Sequence, residues 1–123
     1  MILVDSSVWI DHLHRADEML TDLLDRGQVM THPFVIGELA IGNLRPRNVV
    51  LDVLRKLDRV IVARDDEVLR LIEQERLFGL GLGYVDVHLL AAARLTPETT
   101  LWTRDKRLSA AAERLSLAAR LTH

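Results

Sequence analysis

The sequence predicts an α/β fold with a central parallel sheet between two layers of helices. Short apolar runs recur along the chain, and the segments between them switch to the apolar period of a helix. Those intervening segments are long enough to be crossover connections, which parallel strands require. Strands joined in this way bury both faces of their sheet under helices, so three layers are expected.

Met1 to Val4 is the first strand, closed by Asp5, and Ser6 to Leu13 follows as a helix. Ala16, Met19, Leu20, Leu23 and Leu24 fall at i, i+3, i+4, i+7 and i+8, and Gly27 then stops that helix. Gln28 to Thr31 is the second strand, followed by a helix from Phe34 to Ile41. Val50, Val53, Leu54 and Leu57 repeat the helical period, and Val60 to Ala63 reads as the third strand. Asp65-Asp66-Glu67 opens another helix, because acids in a first turn complement its dipole and free amides. Asp86 to Ala93 is apolar on nearly every side and so predicts a buried helix beginning at Asp86. Thr100 to Thr103 is the fourth strand, Leu108, Ala111, Ala112 and Leu115 mark the last helix, and Leu117 to Leu121 is a candidate fifth strand. Pro33, Pro46 and Pro97 punctuate these segments, and no linker or repeat divides them. Residues 1–123 therefore read as a single domain.

A chain of 123 residues can bury roughly two-thirds of its unfolded surface, enough for a core without disulfides. The absence of cysteine excludes thiol catalysis, cysteine zinc sites and iron–sulfur clusters. Sixteen Lys and Arg against 18 Asp and Glu leave a formal net charge of −2, which excludes a polycation that coats nucleic acid by charge alone. Even counting glycine as apolar, the longest uninterrupted run, Leu77 to Val85, is nine residues, against roughly 20 for a membrane span. With a strand starting at Met1 and no export signal ahead of it, a cytoplasmic protein with no membrane contact is expected.

In open α/β sheets ligands sit beyond the carboxyl ends of the strands. Asp5 follows the first strand and Asp105 the strand from Thr100 to Thr103, so both face that region. Each is equally well placed to cap the helix after it. Glu38 lies among Phe34, Val35, Leu39 and Ile41, where a carboxylate is costly to desolvate unless a cation or donors meet it; a head turned to water is the alternative. Asp86 heads the buried helix, again as a cap or as a ligand. Four carboxylates brought together from separate segments suit Mg²⁺ or Mn²⁺, which activate water and stabilise phosphoryl charge in phosphodiester cleavage. Two bound divalent ions would turn the net charge positive and make the site attract phosphate.

The segments VDSSVWID from Val4 to Asp11, VIGEL from Val35 to Leu39, GYVDVHLLAAA from Gly83 to Ala93 and LWTRDKRL from Leu101 to Leu108 resemble, in order and spacing, the motifs of PIN-domain ribonucleases, specifically VapC-type toxins. The resemblance spans essentially the whole chain and implies a PIN-like three-layer sandwich. It implies that Asp5, Glu38, Asp86 and Asp105 are the catalytic, metal-binding quartet, with Ser7 and Thr103 as supporting hydroxyls. It further implies an Mg²⁺- or Mn²⁺-dependent endoribonuclease that cleaves RNA, forms a homodimer and is neutralised by a cognate VapB-type antitoxin.

Arg104, Lys106 and Arg107 flank Asp105 and are candidates to hold RNA phosphates, or else solvated charges at a helix start. Arg45 and Arg47 are weaker candidates of the same kind. Gly79, Gly81 and Gly83 form G-x-G-x-G without a preceding strand, so a turn delivering Asp86 is expected rather than a nucleotide loop. The histidines lack zinc-pair spacing, with His88 a candidate to line the site, and Trp9 and Trp102 read as core or interface. Two competing functions remain: a PIN nuclease of RNA processing that is no toxin, and a receiver-like Mg²⁺-binding phosphoacceptor. The receiver pattern wants adjacent acids after the first strand, where this chain has Ser6-Ser7 after Asp5, and an acceptor aspartate closing a middle strand, where Ala63 is followed by Arg64.

Overall fold

The computed structural model describes residues 1–121. Four strands, β1 (Ile2–Val4), β2 (Val29–Thr31), β3 (Asp58–Arg59) and β4 (Thr100–Trp102), form one parallel sheet in the order β3-β2-β1-β4. Seven helices flank it among the described residues: α1 (Ser6–His14), α2 (Glu18–Asp25), α3 (Pro33–Ile41), α4 (Arg47–Lys56), α5 (Asp65–Glu75), α6 (Tyr84–Leu95) and α7 (Lys106–Arg114). This is the three-layer α/β/α sandwich that the alternation of periods predicts. The expected fifth strand is reduced to a bridge: Leu101 donates its N–H to Leu117 and accepts from Ala119, so the C-terminal segment runs beside β4 for one pair.

From β1 the chain steps outward through β2 to β3, then returns to place β4 on the opposite side of β1. The strand order therefore reverses between β1 and β4, and in open α/β sheets such a reversal leaves a crevice beyond the strands' carboxyl ends. The register pairs Val4 with Trp102, so the residues just past each partner, Asp5 and Thr103, meet at its mouth.

The core consists of the apolar residues that the two periods select. Leu3 and Val4 of β1, Leu20, Leu54, Val68 and Leu108 from four helices, and Leu89 and Leu90 of α6 are completely buried. Residues Val87 through Ala93 are buried without a break, as expected for a helix that is apolar all round. Gly27 ends α2 in the left-handed conformation at φ 65°, a backbone state that glycine enters without Cβ strain.

Two expected boundaries move. The third strand lies at Asp58–Arg59 and not at Val60 to Ala63, whose pairing with the sheet ends at a bond from the Val60 N–H to the Thr31 carbonyl. A sheet-edge strand with both residues exposed carries no apolar run to reveal it. Helix α6 starts at Tyr84, so Asp86 stands in its third position and Gly83 at its N-cap.

Candidate active site

Asp5 is the buried centre of the crevice, 6% exposed. It occupies the N-cap position of α1, but its side chain makes no capping bond. Its Oδ2 instead accepts from the hydroxyls of Ser7 and Thr103, both at 2.8 Å. The Asp5 backbone N–H donates to the Trp102 carbonyl at 2.9 Å, which continues the β1–β4 ladder past its last pair. Ser7 Oγ in turn accepts the Arg104 N–H at 3.0 Å, and Thr103 Oγ1 accepts the Asp105 N–H at 3.1 Å. One buried carboxylate, two hydroxyls and two amides thus lock the turn after β4 against the start of α1.

The other three carboxylates arrive by local rules. Asp105 caps α7, its Oδ1 accepting from the N–H groups of Arg107 and Leu108 at 2.9 and 3.0 Å. Asp86 reaches back from the third position of α6, its Oδ2 accepting the Gly83 N–H at 2.9 Å, one half of a capping box. Glu38, on the second turn of α3, accepts from Ser6 Oγ at 3.2 Å, and the same hydroxyl stands 3.5 Å from Asp5 Oδ1. Ser6 therefore bridges two of the acids. Sequence reasoning missed it, although a hydroxyl in the first position of a helix that opens at a strand end was a readable signal.

Capping and an open oxygen coexist in this arrangement. Among the described residues, Glu38 Oε2, Asp86 Oδ1 and Asp105 Oδ2 accept no hydrogen bond, and Asp5 Oδ1 has only the long contact with Ser6. None of the four pairs with a cation among the described residues, whereas Asp11 and Asp17, nearby on α1 and at the N-cap of α2, share the guanidinium of Arg104. Loss of surrounding water is the first cause lifting the proton affinity of Glu38 above the glutamate norm; Asp5 and Asp86 reinforce it and the Ser6 bond opposes it. Asp86 is raised for the same first cause, opposed by the Gly83 amide and reinforced by Asp105 and Asp5. Glu38 thus feels the charge of Asp5 and Asp86, and Asp86 that of Asp105 and Asp5.

The expected immersion of Glu38 in an apolar stripe does not hold: it is exposed, as is Asp105, while Asp86 is half-buried. Among the described residues no three acidic or histidine side chains converge on one point as they stand. The donor set nonetheless fits a hard divalent cation, since it is all carboxylate oxygen and, among the described residues, each acid keeps an oxygen open and no basic group pairs with any of them.

Arg104 is engaged by Asp11 and by Asp17 at 2.6 Å, so it is not a free phosphate ligand. Arg47 donates to the Ala40 and Gly42 carbonyls, satisfying the end of α3. His88 does not line the crevice; it is buried among Phe34, Tyr84 and His32, with Nε2 3.5 Å from Asp65. His32 caps α3 by accepting the Phe34 N–H, and burial pushes its pKa down to about 4. His123 lies outside the described residues.

An all-carboxylate crevice at the strand-order reversal of a parallel α/β sandwich defines the class. Residues 2–114 match the family described as PIN domain, and the chain belongs to that family. Within it the chain is 53% identical over 111 residues to Ribonuclease VapC32 from Mycobacterium tuberculosis, in strain CDC 1551 / Oshkosh and in strain ATCC 25618 / H37Rv. The match covers 90% of this chain and 90% of each relative, which sets it among the VapC-type PIN proteins. The sheet order also departs from the 2-1-3-4-5 order of receiver domains, so that alternative falls.

Proposed function

We propose that the chain is a divalent-metal-dependent endoribonuclease that acts as the toxin of a toxin–antitoxin pair, with Asp5, Glu38, Asp86 and Asp105 as its catalytic ligands. The observation that carries this reading is the contrast in pairing: four carboxylates at one end of the sheet keep open oxygens and, among the described residues, pair with no cation, although Arg104, Lys106 and Arg107 adjoin Asp105 in sequence. The relatives' name, Ribonuclease VapC32, supports RNA as the substrate and a VapB-type antitoxin as the partner. Mg²⁺ or Mn²⁺ held by these residues would activate water and stabilise charge on the phosphoryl group.

The chain's own groups supply orientation. Ser7 and Thr103 fix the rotamer of Asp5 and leave Oδ1 toward Glu38; the α7 amides fix Asp105, and the Gly83 amide fixes Asp86. Such preorganisation is what makes fixed charge effective when charge develops in a reaction. Beside Glu38, Ile10, Leu13, Leu44 and Arg45 border a cavity of about 490 Å³. This apolar-rimmed recess suits an antitoxin segment that covers the crevice and sends an arginine or lysine to the acids in place of metal, a charge-assisted pairing. A homodimer and a cytoplasmic location complete the reading; among the described residues no helix is long and apolar enough to cross a membrane.

The test is incubation of the purified chain, freed of partner, with total RNA in Mg²⁺ or Mn²⁺, with EDTA and Asp5→Asn as controls. Cleavage that needs both metal and Asp5 is expected. Expression of the chain alone should arrest growth, and Asp5→Asn or co-expression of the protein encoded beside it should relieve the arrest. Metal-independent cleavage, or none at all from folded protein, contradicts the nuclease reading; cleavage without growth arrest contradicts the toxin reading alone.

A further inference from the structure

The basic residues beside Asp105 differ in how the fold holds them. Arg104 is consumed by Asp11 and Asp17. Lys106 is exposed, and among the described residues its side chain makes no hydrogen bond or ion pair. Arg107 is also exposed and without an ion pair or side-chain hydrogen bond among the described residues, yet its side chain is seated. It lies across the backbone of Gly81, where a Cβ would stand 2.6 Å from Nη1 and 3.0 Å from Cδ and Cζ.

Gly81 has φ 77°, so its backbone calls for glycine, and a Cβ there would push the overlying guanidinium from its place. The same loop ends at Gly83, whose N–H holds Asp86, and two residues of chain span at most about 7 Å. At its other end Arg107 donates its own N–H to Asp105. The seated guanidinium therefore stands between the anchors of two of the four acids. A pre-positioned, uncompensated planar cation beside a phosphodiester-cleaving crevice has the form of a phosphate ligand, because guanidinium binds phosphate oxygens in a bidentate way.

We infer that Arg107, held on the Gly81 saddle, is the residue that grips an RNA phosphate next to the scissile one, and that Arg104 is not. The inference rests on the ribonuclease reading and deepens it. Gly79 offers an internal control, since it shares the left-handed backbone at φ 71° but has nothing within 4 Å of its missing Cβ.

The experiment measures binding of a short fluorescein-labelled single-stranded RNA of mixed sequence, by anisotropy across a salt series in Mg²⁺. All proteins carry Asp5→Asn so that the strand stays intact. Arg107→Gln should weaken binding and lower the slope of log K against log salt by about 0.7, one phosphate contact on a single strand. Arg104→Gln should leave the slope unchanged. Gly81→Ala should weaken binding where Gly79→Ala does not, and should add nothing once Arg107 is Gln. A parent slope in Arg107→Gln, or additive losses from Gly81→Ala and Arg107→Gln, overturns the inference. Cleavage by otherwise wild-type protein, run alongside, separates the two readings: cleavage with an unaltered Arg107→Gln slope refutes the phosphate grip alone. Neither binding by the Asp5→Asn protein nor cleavage by the wild type refutes both.

Discussion

Two groups of carboxylates sit at the same end of this molecule and are treated in opposite ways. Asp11 and Asp17 are neutralised within the chain by Arg104, which ties the turn after β4 to α1 and to the start of α2. Asp5, Glu38, Asp86 and Asp105 are held by neutral donors, hydroxyls and amides that orient a carboxylate without cancelling its charge. The first arrangement satisfies the fold. The second leaves negative charge for something the chain does not supply, and it does so although Arg104, Lys106 and Arg107 adjoin Asp105 in sequence.

The comparison breaks most sharply on activity. Asp5→Asn or Asp86→Asn should lower RNA cleavage by at least about 10²-fold, the scale of losing a preorganised electrostatic group. Asp11→Asn should stay within a few-fold of wild type, and initial rates on one RNA preparation decide it. Equal losses in Asp86→Asn and Asp11→Asn would erase the distinction between the two groups.

A smaller effect is expected from the donors. Ser7→Ala and Thr103→Val each remove one hydrogen bond to charged Asp5, worth about 1.5 kcal/mol at the low end, or roughly tenfold in rate. Because both hydroxyls meet the same oxygen, the double variant should fall short of the product of the single losses. Rates at saturating metal would show this, and full activity in both single variants would remove orientation from the account.

The clamp yields the least. Arg104 is 39% exposed on its side chain, so solvent screens its pairs, and Arg104→Gln should cost about 1 kcal/mol or less. Thermal unfolding should then show a lower Tm but the same rise on adding Mg²⁺ as in wild type. Loss of that metal-induced rise would mean that the clamp belongs to the site.

What could be read in the sequence follows from where apolar periodicity reaches. The sheet centre and Asp5 were legible because Ile2, Leu3 and Val4 form an uninterrupted apolar strand with a lone acid at its end. Asp58–Arg59 was not, since an exposed edge strand obeys no burial pattern. Asp86 was placed at a helix start it does not occupy because Gly83-Tyr84-Val85 resembles a loop, whereas the glycine is the cap. The engagement of Arg104 was beyond local reading: Asp11 and Asp17 lie 93 and 87 residues away in the chain, and only the β1–β4 pairing brings them close. Ser6 carried a readable local signal, but its bridge to Glu38 did not, since Glu38 arrives from another helix.

The central claim is that the unpaired quartet, and not acidity at this end of the molecule in general, holds a divalent cation. Calorimetric titration of metal-free protein with Mn²⁺ tests it without RNA or a partner. Wild type, Asp11→Asn and Asp17→Asn should bind with the same affinity, while Asp5→Asn and Asp86→Asn should bind at least about tenfold more weakly, a loss of about 1.4 kcal/mol. Undiminished Mn²⁺ binding in Asp5→Asn and Asp86→Asn, or a comparable loss in Asp11→Asn, would contradict the account.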